Sequence, residues 1–339
     1  MREAALLQVN HLRKLFPVGR TGLLRKPHEF VHAVDDVSFT VARGEVLALV
    51  GESGCGKSTL ALTLLGMESV TDGKISFEHQ EVTHLDKTGL KRLRRQVQMI
   101  FQDPYESLNP LLTIGETVAE PLHVHGLAPD KAERRQRVIK ALEDAGLKPA
   151  ATFLNRRPHE LSGGQRQRVV IASALVLEPT LLLADEPVSM LDVSIRAEIL
   201  NLLADLRTQR GISILLITHD LNTVAAIADR IAVMYLGRLV ELGPTAAVLA
   251  NPQHPYTQAL LSVAPVANPR RRRERIILQG ETPDPIHLPT GCRFHPRCPM
   301  AMAQCQQIDP PNVAVSEQHQ AACLLVAKEE AVAQQRRAA

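Results

Sequence analysis

The sequence predicts an α/β fold with a mainly parallel sheet, followed by a smaller cysteine-rich appendage. Three observations carry that expectation. Short apolar runs alternate with helical patterns along the first 250 residues or so. A glycine-rich loop joins one such run to one such helix. Composition shifts near Asn251, after which Pro and Cys accumulate. Strands separated by helices need crossover connections, and those build parallel sheets. At 339 residues the chain has room for a large α/β domain and an addition to it.

The elements follow in order. Val46 to Val50 is uniformly apolar and reads as a strand buried on both faces. Lys57 to Leu65 continues as a helix. Leu181 to Ala184 is a second buried strand, Ile195 to Leu206 an amphipathic helix, and Ile212 to Ile217 a strand rich in β-branched residues. The breaker-rich stretch from Asn251 to Tyr256 ends the first domain, and a helix follows at Thr257 to Val263. Residues 270–275 hold five Arg. They read as a solvated linker, with anionic lipid headgroups as the sharper alternative. The tail from Lys328 reads as a frayed helix or disordered.

Bulk properties exclude some functions. The formal charge of +3 is close to balanced and there is no Trp, which argues against nucleic acid as a partner. The N-terminus has no apolar signal core, and no run approaches the ~18 apolar residues of a membrane span. A soluble, cytoplasmic chain is expected, reaching any membrane through a partner.

Gly51-Glu52-Ser53-Gly54-Cys55-Gly56-Lys57-Ser58, with Thr59 next, fits the phosphate-loop pattern and lies between a strand and a helix. Its glycines let backbone N–H groups wrap a phosphate, and the following helix aims its N-terminus at the same anion. Lys57 should reach the β- and γ-phosphates and Ser58 should meet Mg²⁺. Cys55 occupies a variable position and needs no redox role. A second apolar strand delivers Asp185 and Glu186 at its C-terminal end, where α/β sheets bind ligands. Asp185 is the candidate Mg²⁺ ligand and Glu186 the residue that polarises water.

Leu161-Ser162-Gly163-Gly164-Gln165 precedes a helical pattern running from Arg166 to Leu177. It would form a second anion site, which one chain with one nucleotide does not need. A head-to-tail dimer, in which each turn closes on the other chain's nucleotide, accounts for it.

These motifs together resemble the ABC ATPase family, over nearly the whole chain. The resemblance implies a P-loop cassette with an antiparallel β part and a helical subdomain at about 103–178. The cassette spans 1–255, an extension 256–328 and a tail 329–339. Gln102 matches the glutamine that senses Mg²⁺, water and the membrane partner. Ser162, Gly163 and Gln165 match the signature motif, and Asp192 the D-loop, with Met190 where Ala is more usual. His219 matches the switch histidine at the γ-phosphate, and Phe16 the aromatic that stacks on adenine. The insert at 17–32 lengthens the spacing from Phe16 to the loop. Repair members of the family carry coiled-coil insertions and translation members two cassettes; this sequence has neither.

The stretches FQDPYESLNP, DEPVSMLDVSIRAEILNLL and NPQHPYTQALLS resemble the dipeptide/oligopeptide importer branch, and the N-terminal insert resembles its second ATPase subunit. That implies two permeases, a different partner ATPase, an external binding protein, and a peripheral place on the cytoplasmic face of the inner membrane. Close relatives serve nickel or glutathione.

Cys292, Cys298, Cys305 and Cys323 are spaced C-x5-C-x6-C-x17-C. The spacing matches neither the close pair of structural zinc nor the ferredoxin runs. By itself it leaves open a four-thiolate site or unligated thiols. The family resemblance implies a [4Fe–4S] cluster, with Zn²⁺ as the alternative and His295 and His319 as substitute ligands.

Overall fold

The computed structural model describes residues 5–19, 29–264 and 274–329. The arginines at 270–273, most of the insert and the tail from 330 lie outside the described residues. In chain order the strands are β1 Ala5–Val18, β2 Glu29–Ala42, β3 Val46–Val50, β4 Asp72–Phe77, β5 Gln80–Glu81 and β6 Val97–Ile100. They continue as β7 Leu181–Asp185, β8 Ser213–Thr218, β9 Arg230–Tyr235, β10 Arg238–Pro244, β11 Asn312–Ala314 and β12 Gln320–Ala322. Two compact units interleave along the chain. The first takes in Met1–Leu6, Val41–Val46 and His84–Ile217; the second takes in Leu7–Thr40, Leu47–Thr83 and the chain from Thr218 on.

In the first unit β6, β7 and β8 are parallel neighbours, Leu181 facing Val97 on one side and Ser213 on the other. Every residue of β7 and β8 is buried, which is why the middle of each reads as an apolar run. The helices around them are set by local chemistry. Ile114–His125 opens on a reciprocal cap between Thr113 and Glu116 and closes on Gly126 in a left-handed conformation. Lys131–Asp144 opens on Asp130, whose carboxylate accepts from two first-turn N–H groups. The helix expected at Ile195–Leu206 runs further, over Val193–Arg210, burying Ile199, Leu200, Leu203 and Leu206. Asp192 and Gly211 set its ends, and apolar periodicity cannot see them. The pattern expected from Arg166 begins instead at Gly163, because Ser162 is the cap.

The second unit holds a four-stranded sheet in the order β2-β1-β4-β5. It also holds β3 parallel to β9, with β10, β12 and β11 added antiparallel. Its core includes three aromatic rings, Tyr235, Tyr256 and Phe294, with centroids 4.7 to 5.4 Å apart. Tyr256 belongs to the helix Pro255–Val263, which starts earlier than the expected Thr257 because His254 caps it and Pro255 suits the first turn. Phe294 comes from the cysteine-rich stretch and is 1% exposed. No helix among the described residues is long and apolar enough to cross a membrane.

Glu241 on β10 is 1% exposed and ties three segments together. It accepts from the N–H groups of Gln253 (2.8 Å) and His254 (2.9 Å), and pairs with His319 Nε2 at 2.8 Å. Burial alone would raise its carboxyl. The hydrogen bonds from His319, Gln253 and His254 outweigh that and hold it below the usual carboxylate range. The sign follows from a depressed folded value. The carboxylate's contribution to stability is present above the ordinary Glu pKa and is lost as pH falls through the folded one. Glu241→Gln is expected to destabilise the chain by about 3 kcal/mol at neutral pH and to flatten that acid limb. Urea unfolding at a series of pH values measures both effects, and an unchanged acid limb would refute the assignment.

Candidate nucleotide site

The phosphate loop leaves the buried strand β3 at Gly51. A Cβ on Gly51 would stand 2.2 Å from the Met234 carbonyl oxygen, and one on Gly56 would stand 1.9 Å from that of Ala33. Both glycines are therefore demanded by close backbone approach. Lys57 is 6% exposed, and its ammonium donates to the carbonyl oxygens of Gly51 (2.8 Å) and Glu52 (2.9 Å). The side chain thus arches over its own loop. Its helix, Lys57–Leu64, has no side-chain cap and no acid in its first turn. Such a helix end offers N–H groups to an anion. Ser58 is exposed beside it and Thr59 half-buried. Burial pushes the Cys55 thiol up despite the nearby Lys57, which keeps it protonated and unreactive.

Glu52 has a further set of partners. Its N–H donates to the Tyr256 hydroxyl at 2.8 Å, and its carboxylate takes hydrogen bonds from Arg297 and Thr282. His219 stands exposed at the end of β8, one residue before Asp220, which caps the next helix. Phe16 is half-buried on β1, with the Lys14 ammonium 4.5 Å from its ring centroid.

The first unit carries the acid pair. Asp185 ends β7 and is buried. Glu186 follows with φ 46°, a left-handed conformation that a non-glycine side chain rarely takes. It is held there by its N–H donating to Ile217 O at 2.9 Å and by Ser189 capping its carbonyl. Its carboxylate accepts from Gln102 Nε2 at 3.2 Å. Strain of this kind concentrates at functional positions. Sequence reasoning chose Gln102 and Glu186 separately; the bond between them and the strained backbone carry no sequence signal.

Leu161 is buried and Ser162 exposed at the head of the signature helix. Ser162 Oγ accepts from Gln165 N–H (3.3 Å), and Gln165 Oε1 accepts from Ser162 N–H (3.1 Å). A Cβ on Gly164 would sit 2.7 Å from Ile195 Cγ2, so that glycine lets the helix lie close to its neighbour. Asp192 stands at the head of the helix that carries Ile195.

All five cysteines are free thiols. Among the described residues no three His, Cys, Asp or Glu side chains are gathered as a single metal ion requires. The four C-terminal thiols still feel one another. Burial, reinforced by Cys305, Cys323 and Cys298, pushes Cys292 up to about 11. Cys305 Sγ accepts from the Met302 N–H at 3.4 Å. His319 gives its Nε2 to Glu241.

Comparison with known proteins converges. The ABC transporter family model matches residues 34–189, and the model of the oligopeptide/dipeptide transporter C-terminal region matches 240–305. The oligopeptide transport ATP-binding protein AppF of Bacillus subtilis is 44% identical, covering 95% of this chain and 98% of its own. The dipeptide transport ATP-binding protein DppF of Haemophilus influenzae is 48% identical, covering 90% of this chain and 92% of its own. Among solved structures, cbiO1 from Clostridium perfringens, part of the ABC transporter complex cbiONQ, superposes with a TM-score of 0.63 at 30% identity, covering 74% of this chain and 92% of that one. A bacterial ABC transporter cassette solved as a dimer gives 0.62 at 31%, covering 70% and 98%. A phosphate loop built this way, in a sequence that runs with these relatives almost from end to end, identifies its family: the chain belongs to the ABC transporters, as an ATP-binding and ATP-hydrolysing subunit.

Proposed function

We propose that the chain hydrolyses ATP to drive uptake of dipeptides and oligopeptides through a pair of membrane permeases, bound peripherally at the cytoplasmic face. The observation that carries this is the oligopeptide/dipeptide C-terminal region at 240–305, joined to a complete ATPase motif set. On this reading the chain is a cassette at 1–255, an extension at 256–328 and a tail at 329–339. A second, different ATPase subunit is the partner this reading implies. The test is uptake of labelled dipeptide, nickel and glutathione by cells expressing the full transporter, with and without this chain. Uptake of nickel alone would overturn the substrate.

The roles follow from the chemistry of each side chain. Backbone N–H groups from Gly51 to Thr59 receive the phosphates, and Lys57 moves from its loop carbonyls onto the β- and γ-oxygens. Ser58, Gln102 and Asp185 each carry a side-chain oxygen of the kind that suits Mg²⁺, and their motifs assign them to it. That ion neutralises phosphate charge when bound. Glu186 takes the proton of the attacking water, and His219 donates to the γ-phosphoryl oxygens. Phe16 covers the adenine. The turn Leu161–Gln165 and Asp192 serve the partner chain's nucleotide. Phosphoryl transfer needs little beyond this positioning and charge. Lys57→Ala is expected to lower ATP affinity by about 100-fold, because one charged hydrogen-bonding cation on the triphosphate is lost. A binding titration reads it, and wild-type affinity would displace Lys57 from the site.

We further propose that Cys292, Cys298, Cys305 and Cys323 hold a [4Fe–4S] cluster. The N–H bond from Met302 to Cys305 Sγ supports this, since such a donor stabilises metal-bound thiolate. Protein purified without oxygen should contain about four iron and four sulfide per chain, lost in Cys298→Ser. Zinc in place of iron would keep the ligands and change the metal. The absence of both would leave the segment an ordinary thiol-bearing extension.

A further inference from the structure

Between Cys292 and Cys298 the chain makes one tight turn. His295 N–H donates to Cys292 O (3.0 Å), Arg297 N–H to Phe294 O (3.0 Å), and Cys298 N–H to His295 O (3.3 Å). Phe294, at its middle, is locked between Tyr235 and Tyr256. Two arginines flank that anchor, and both reach the phosphate loop or the backbone behind it.

Arg297 grips Glu52 fork to fork, Nη1 to Oε2 at 2.8 Å and Nη2 to Oε1 at 3.2 Å. Thr282 Oγ1 adds a third bond to the same carboxylate at 2.9 Å. Arg293 donates to Leu236 O at 2.6 Å and pairs with the buried Asp35. Leu236 leads directly into Gly237, whose N–H donates to Cys55 O at 2.9 Å and whose carbonyl accepts from Asp35 N–H at 2.8 Å. Ala33, two residues before Asp35 on β2, is the residue whose carbonyl a Cβ on Gly56 would meet.

The phosphate-loop pattern leaves the Glu52 position open, so phosphate binding does not call for a carboxylate there. A free carboxylate within the loop would repel a triphosphate. The fork of Arg297 both neutralises that charge and turns it away.

We propose that Arg297 and Arg293 are positioning residues for the phosphate loop, through which the four-cysteine segment sets how tightly the chain holds nucleotide. This rests on reading Gly51–Thr59 as the ATP loop. Loosening the 292–298 turn, by substitution or by loss of whatever Cys298 ligates, acts through the same two arginines.

The test titrates the full-length chain with a fluorescent ATP analogue and magnesium. Arg297→Ala is expected to weaken binding about tenfold, within the usual span of coupling between sites. In the assembled transporter KM for ATP should rise while kcat at saturating ATP holds. Adding Glu52→Gln to Arg297→Ala should restore most of the affinity, because the stranded carboxylate does the harm. A scaffold defect would not be rescued in this way. Cys298→Ser should weaken binding in the same direction and add nothing to Arg297→Ala. Arg297→Lys, which keeps the charge and loses the fork, should fall between and stands in if the alanine variant does not fold. Wild-type affinity in Arg297→Ala, or a double variant no better than the single, overturns the proposal. Lys57→Ala separates the two levels: if it too binds normally, the ATP-loop reading has failed, and if it alone loses binding, only the arginine proposal has.

Discussion

Glu186→Gln is expected to abolish ATP turnover in the assembled transporter while leaving ATP bound. The change removes one proton acceptor and almost nothing else. The amide matches the carboxylate in shape and can still accept the 3.2 Å bond from Gln102 Nε2. The backbone at φ 46° is held by Ile217 O and by Ser189, neither of which touches the side chain. General-base catalysis contributes about 10²–10⁴-fold, so the rate should fall by at least about 100-fold. ATP retained without hydrolysis should hold two cassettes together, and size-exclusion chromatography in ATP would show the dimer. Hydrolysis at the wild-type rate would remove Glu186 from the role of base.

Gly56→Ala has the second large effect, and it arises from shape. The new Cβ would stand 1.9 Å from the Ala33 carbonyl oxygen and 3.0 Å from the Met234 methyl, at a residue with φ 106°. Backbone cannot yield as a flexible side chain does. Overpacking and backbone strain together should cost about 2–5 kcal/mol. The loop must shift, so nucleotide binding is expected to be lost with it. Gly54→Ala is the control. Its φ is 80°, yet a Cβ there meets nothing within 4 Å. It should carry only the conformational cost of about 1 kcal/mol and keep binding. Urea unfolding beside a nucleotide titration distinguishes the two. Equal behaviour would mean that conformation, and not the approach of Ala33, makes Gly56 necessary.

Much of the fold was legible because its signals are local. β3 is buried on both faces and apolar throughout, and β7 is apolar up to the Asp185 that ends it. The ends of elements were less legible. The helix Val193–Arg210 outruns its apolar stripe at both ends. The cysteine-rich stretch looked weakly patterned, yet it sends Phe294 into the core, a placement that one aromatic among turns does not announce.

The sequence by itself determined the chemistry of the phosphate loop and the signature turn. Their working groups are backbone N–H donors, glycines and a lysine or serine within a few consecutive residues, so one short stretch specifies both conformation and function. It also determined the acid pair, since a buried strand can end on two carboxylates only where something cationic or hydrated receives them. Only the tertiary structure decided the partnerships: Gln102 with Glu186 across 84 residues, Glu241 with His319 across 78, and Arg297 with Glu52 across 245. A hydrogen bond between distant residues depends on where two side chains arrive after folding, and neither periodicity nor motif spacing encodes that meeting.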